Sequence, residues 1–292
     1  MGVRMKRVHA TAGTSPSPRF RKTLLCCAAV VAAVSIALAP QGAAAGTIKV
    51  SGTGGAIGTM RMFAEMFGKT HPGTRILVSP SIGTNGAIKA VLRGDLDVGL
   101  ATRPPNLEEC AQGCMATAYA RTPFVFGVNR QVEETAVTVA EVADIYAGRK
   151  LRWANGSRLR LVIRPPGESD IPILKGMSPE MGAAVDAAMG RQGMIVGLTD
   201  QDSADAVERP PVAIGSLTLA IILSEKRAIR VLALDGTVPS VRTLKDGSYR
   251  YSKTFYMVTK RDMQPAVQQF VEFVLSPAAR NILSKNGQAA VR

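Results

Sequence analysis

The chain has 292 residues, 36 Lys and Arg against 22 Asp and Glu, and 46% hydrophobic residues. That apolar content excludes wholesale disorder, and the length suits one large domain or two lobes. A net charge of +14 invites nucleic acid or a membrane surface as partner, so the placement of the cations is the first question.

Six cations (Arg4, Lys6, Arg7, Arg19, Arg21 and Lys22) precede residue 23, and no acid accompanies them. An apolar run follows from Thr23 to Ala39, then Pro40 and the small residues Ala43, Ala44 and Ala45. A basic head, an apolar middle and a small-residue end read as a cleaved secretory signal over 1–45 and place the protein in the periplasm. No adjacent arginine pair supports a twin-arginine route. Cys26 and Cys27 open the apolar run, whereas a lipoprotein anchor would need its cysteine at the cleavage point. Cleavage leaves 247 residues and a net charge of +8. Of the four cysteines only Cys110 and Cys114 remain, and in an oxidising compartment they are expected to form a short-loop disulfide. With His71 the only histidine left, no metal site is expected.

Short apolar strands then alternate with amphipathic stretches, an α/β pattern. Thr47–Ser51 reads as a strand, Gly52–Gly55 as a tight turn, and Met60–Phe67 as a helix. Arg75–Ser79 is a second strand, Gly83–Gly86 a second turn, Ala87–Leu92 a helix and Val98–Ala101 a third strand. Pro123–Asn129 is a strand, Val139–Tyr146 a helix capped by Thr138, and Leu159–Ile163 a strand. Pro179–Gly190 reads as a helix, Ile229–Leu234 and Tyr249–Thr259 as strands. Two helices close the chain, Pro265–Leu275 with Val267, Phe270, Val271 and Val274 on one face, and Ala278–Lys285.

A strand end that feeds a glycine turn and a helix start can hold an anion, because the first N–H groups of the helix lack partners. The chain offers this twice, at Gly52–Ile57 and Gly83–Ala87. Arg103 and Arg164 each follow a strand and precede two prolines, a setting that suits bidentate grip of an oxyanion. No catalytic triad, P-loop or cofactor motif is visible, and no nucleic-acid motif either. The carboxylate pairs Asp95/Asp97 and Asp200/Asp202 read as turn and capping residues.

Several segments in order resemble the substrate-binding proteins of phosphate-type ABC transporters. They include VSGTGGAIGTM (50–60), SPSIGTNGAIKAVLRGDLDVGLATRPP (79–105), TPFVFGVN (122–129), EVADIYAGRKLRWANGSRLRLVIRPPGESD (141–170), VAIGSL (212–217) and AVQQFVEFVLSPAARNILSKNGQAAV (266–291). The resemblance implies a type II periplasmic binding protein, α/β, with each of two lobes a mixed sheet flanked by helices and the ligand in the cleft between them. Lobe one would be 46–125 plus 236–292, and lobe two 126–235. It also implies ligand contacts from Thr53, Gly55 and Ala56 at the first turn, from Thr84, Asn85 and Gly86 at the second, and from Thr102, Arg103 and Arg164. The family follows that last arginine with a Ser-Gly-Thr run; here Glu168, Ser169 and Asp170 stand there. Carboxylates beside a dianion are unfavourable unless they accept a ligand proton or pair with an arginine. The expected function is capture of a small oxyanion, phosphate first, by a monomer without cofactor or catalytic residues, for a membrane permease. The alternative is a sensory or accessory protein that binds another small solute and docks on a receptor or redox partner.

Overall fold

In chain order the elements are β1 (Gly46–Gly52), α1 (Gly54–Thr70), β2 (Thr74–Val78), α2 (Gly83–Arg93), β3 (Val98–Ala101), α3 (Leu107–Ala111) and β4 (Cys114–Asn129). Then come β5 (Ala136–Val137), α4 (Val139–Ala147), β6 (Arg160–Ile163), α5 (Asp170–Lys175), α6 (Pro179–Met189), β7 (Ile195–Val196), α7 (Asp200–Glu208) and β8 (Ala213–Thr218). The chain closes with α8 (Leu219–Ser224), β9 (Ile229–Val231), β10 (Ala233–Leu234), α9 (Val241–Lys245), β11 (Ser252–Lys260), α10 (Pro265–Leu275), α11 (Pro277–Lys285) and β12 (Ala289–Ala290). This is a computed structural model that describes residues 1–2 and 46–291. The export signal expected over 1–45, with Cys26 and Cys27, lies outside the described residues apart from Met1 and Gly2.

The strands run in the order β2-β1-β3-β11-β4-β8-β6-β7. β1 pairs in parallel with β2 and β3, and β6 in parallel with β7 and β8, while β11 and β4 are antiparallel to their neighbours. The expected mixed sheets flanked by helices are thus present in both lobes. β4 joins them. Its first part, from Cys114 to Pro123, pairs with β11, and its second part, from Phe124 to Val128, pairs with β8. Only the second part was legible as a strand. Cys114–Arg121 is rich in alanine, a poor strand former, and takes its form from the β11 partner.

Each lobe has its own core. In lobe one Val50, Leu100 and Met257 from the sheet meet Phe63 and Phe67 of α1 and Val267, Phe270 and Val274 of α10. The four apolar residues of α10 recur at helical spacing, so one stripe is buried and the rest faces water. In lobe two Phe126, Val128 and Leu161 pack with Val142 and Tyr146 of α4, Trp153, and Met181 and Val185 of α6. The Trp153 indole N–H is satisfied by the Val212 carbonyl at 2.9 Å. Thr138 caps α4 in a reciprocal capping box with Glu141, and left-handed Gly148 ends the helix.

The helices after both glycine turns begin earlier than their apolar periodicity suggests. α1 starts at Gly54 and α2 at Gly83, so the glycines belong to the first helical turns themselves. Gly52 must be glycine, because a Cβ there would lie 2.0 Å from the Leu100 carbonyl oxygen on β3. The expected Cys110–Cys114 disulfide is not formed. Both thiols are free; Cys110 Sγ faces the Pro105 carbonyl at 3.7 Å and Cys114 Sγ the Glu109 carbonyl at 3.3 Å. Gly113, at φ 98°, turns the chain between α3 and β4.

Candidate functional site

The two glycine turns end β1 and follow β2, at strand C-termini where ligands of open α/β sheets collect. They have different fates. The first is occupied from within the protein. Asp200, the first residue of α7 in lobe two, accepts hydrogen bonds through Oδ2 from Gly55 N–H at 2.9 Å and Thr53 Oγ1 at 3.1 Å. Its Oδ1 lies 3.5 Å from Arg164 Nη2. Ala56, fully buried, donates its N–H back to the Thr53 carbonyl.

The second turn is open. The N-cap residue of α2, Ile82, supplies no side-chain cap, its first turn holds no acid, and Gly83 N–H meets Ser81 Oγ only at 3.4 Å. Its residues Gly83, Thr84, Asn85 and Gly86 line a cavity of about 560 Å³. Thr102 and Arg103 from the end of β3, Gly167, Glu168 and Ser169 from lobe two, and Lys253 from β11 form the other walls. The Thr84 and Thr102 hydroxyls meet at 2.9 Å, and Thr102 N–H donates to Thr84 Oγ1 at 3.0 Å.

Both arginines are engaged inside the protein. Arg103 forms a bidentate pair with Glu109 at 2.8 and 3.0 Å, and donates to Asn85 Oδ1 at 2.7 Å and to the Pro104 carbonyl. It braces the second turn through Asn85 and has no terminal N–H left for a solute. The Glu109 carboxyl is held below the usual range, chiefly by the Arg103 hydrogen bond. Arg164, 4% exposed, donates to Gly197 carbonyl, Ser203 Oγ and Glu168 Oε2 at 2.8, 3.1 and 3.1 Å.

Asp170 does not reach the cavity. It is buried, accepts from Ser216 Oγ at 2.9 Å, pairs closely with Lys253 Nζ, and lies 3.8 Å from Arg164 Nε. Two cations, Arg164 and Lys253, therefore face three carboxylates, Glu168, Asp170 and Asp200. Burial alone would raise the Asp200 carboxyl, but Lys253, Arg164 and the bonds from Gly55 and Thr53 outweigh it and hold it below its ordinary value. Among the described residues no three His, Cys, Asp or Glu side chains gather to hold a metal ion.

The structure thus brings Thr84, Asn85, Gly86, Thr102, Arg103, Glu168 and Ser169 to one cavity. Thr53, Gly55 and Arg164 are set on Asp200, and Asp170 on Lys253. Sequence reasoning missed Asp200 and Lys253. Asp202 does cap α7, in a capping box with Thr199, but its neighbour Asp200 crosses to the other lobe. A lysine inside a strand of aromatic and β-branched residues was the available sign for Lys253.

The architecture is that of a two-lobed type II periplasmic binding protein. The chain matches the PBP superfamily domain over residues 37–278, and it belongs to that superfamily. A phosphate-binding protein of Streptococcus agalactiae is 34% identical over 82 residues, 28% of this chain and 27% of the relative. This chain therefore spans about a quarter of that relative's length. Protein SphX of Synechococcus elongatus is 24% identical over 74% of this chain and 69% of its own. Among solved structures, one described as a phosphate ABC transporter substrate-binding protein with bound phosphate, from Clostridium perfringens, superposes with a TM-score of 0.73. It is 20% identical and covers 84% of this chain and 100% of its own.

Proposed function

We propose that the protein is an exported solute-binding component of an ABC importer that captures a small oxyanion, phosphate first, between its lobes and presents it to a membrane permease. The observation that carries this is the uncapped start of α2 facing a cavity of about 560 Å³ walled by both lobes. Backbone N–H groups at a helix start are preorganised donors for an anion, and the helix dipole favours negative charge there. Lobe closure over the solute excludes water and strengthens those charge-assisted bonds. The matches to phosphate-binding proteins support the choice of phosphate. Glu168 on the opposite wall suits an oxyanion that still carries a proton to donate. No chemical step is involved; the protein acts by binding and release.

We place the crossings between lobes at Thr122–Phe124 and Tyr251–Lys253. Residues 236–250 then belong to lobe two, because Leu234, Tyr249 and Tyr251 pack in its core.

Calorimetry with phosphate, arsenate, sulfate and molybdate tests the reading. Binding of phosphate at micromolar concentrations, weakened at least tenfold by Arg103→Ala through loss of the Asn85 brace, is expected. Absence of binding by all four anions refutes it.

A further inference from the structure

We propose that Asp200 is a built-in occupant of the first-turn side of the oxyanion cleft, beside the open start of α2, seated where a solute oxygen would sit and so setting how tightly the cleft takes an external anion. This rests on the oxyanion reading above and adds a residue that belongs to no glycine turn and no arginine motif.

The contacts are those of a bound anion. One carboxylate oxygen accepts from a helix N-terminal N–H, Gly55, and from the Thr53 hydroxyl, and the other faces the guanidinium of Arg164. All three partners are buried. α1 is 17 residues long, has no acid in its first turn and no cap from its own N-cap residue Thr53, so Asp200 supplies its terminal negative charge. Arg164 keeps one donor in reserve, since its buried Nε–H has no hydrogen-bond partner.

The seat is shaped for this approach. A Cβ on Gly54 would lie 2.2 Å from Gln201 Oε1 and 2.8 Å from Asp200 Cβ, so only glycine lets α7 come this close to α1. Gln201 Nε2 donates to the Gly54 carbonyl at 3.1 Å and ties the lobes together beside the carboxylate. Thr199 and Gln201, the chain neighbours of Asp200, line a second cavity of about 920 Å³, whereas Glu168, bonded to Arg164, lines the one at α2. Asp200 and Arg164 thus sit beside residues that line both spaces.

The charge balance points the same way. The cluster already holds three carboxylates, Glu168 partly exposed among them, against two cations, so an added dianion meets excess negative charge. An anion reaches Thr53 and Gly55 only by displacing Asp200, and the apparent affinity falls by the fraction of molecules in which Asp200 is seated.

The test compares the mature chain with Asp200→Asn and with Asp202→Asn, which alters the same helix without touching the cradle. Phosphate affinity is read by calorimetry, and compactness without added anion by small-angle scattering. Asp200→Asn is expected to bind phosphate at least tenfold tighter and to open in the absence of anion, with Asp202→Asn like the parent. Equal affinity and equal scattering for Asp200→Asn and the parent overturn the proposal. If no form binds phosphate yet Asp200→Asn alone opens, the internal occupant stands and the oxyanion reading falls. Should Asp200→Asn fail to fold, the parent protein decides by hydrogen exchange. A Gly55 amide protected without any anion supports the proposal, and free exchange overturns it.

Discussion

Replacing Lys253 with Met tests whether the buried ion pair at the lobe junction holds the molecule together. Lys253 lies on β11 opposite Thr122, where β4 passes from one lobe to the other, and its partner Asp170 begins α5 in lobe two. Their side chains are 3% and 2% exposed. Removing one partner of such a pair leaves the other charge buried, at a cost of about 3–5 kcal/mol. Asp170 keeps the Ser216 bond and Arg164 at 3.8 Å, which places the loss near the lower end, about 3 kcal/mol. For a unit of this size that lowers Tm by about 6–12 °C. Methionine gives up the ammonium's contact with the Phe124 ring at 5.8 Å, but its thioether also packs well on an aromatic ring, so little apolar packing is lost. The double variant Lys253→Met with Asp170→Asn removes both charges and should recover at least half of the loss. Thermal and urea unfolding followed by circular dichroism, without phosphate so that ligand linkage does not mask the effect, reads both variants. A single variant that loses less than about 1 kcal/mol, or a double that is no better than the single, refutes the argument.

Gly52→Ala forces a methyl group against the Leu100 backbone at 2.0 Å and must part β1 from β3, so a loss of about 3 kcal/mol or more is expected. A melting temperature within 2 °C of the parent would show that the strands do not approach as described. The Arg103–Glu109 pair sets an acid limit. Because the Glu109 carboxyl is depressed, its stabilisation is present above the ordinary carboxylate value and is lost as pH falls through the lower folded value, below about pH 4. Arg103 is 38% exposed, so solvent screening keeps the effect under about 1 kcal/mol. Denaturant unfolding across the acid range should show Glu109→Gln with a shallower acid limb than the parent; identical limbs would remove the pair from the account.

Much of the fold is local and was therefore legible. The stripe Val267, Phe270, Val271 and Val274 marks α10 because one face of a helix must bury its apolar residues wherever it docks. Thr138 with Glu141, and Gly148 after them, bound α4 by capping chemistry contained within a few residues. The two glycine turns, and the strand ends that carry Thr102-Arg103 and Arg164, identified the cleft for the same reason. What no local pattern carries is the partner of each group. The first half of β4 becomes a strand because β11 lies beside it. Arg103 and Arg164, alike in sequence as arginines before two prolines, end on Glu109 in one case and on Glu168 and Asp200 in the other. The two turns, equivalent as anion sites in the sequence, differ because α7 brings Asp200 across 145 residues of chain to Gly55 and leaves α2 open. Hydrophobic periodicity and capping act over one or two helical turns, whereas the charge that fills a site is decided by which distant backbone the packed lobes bring against it.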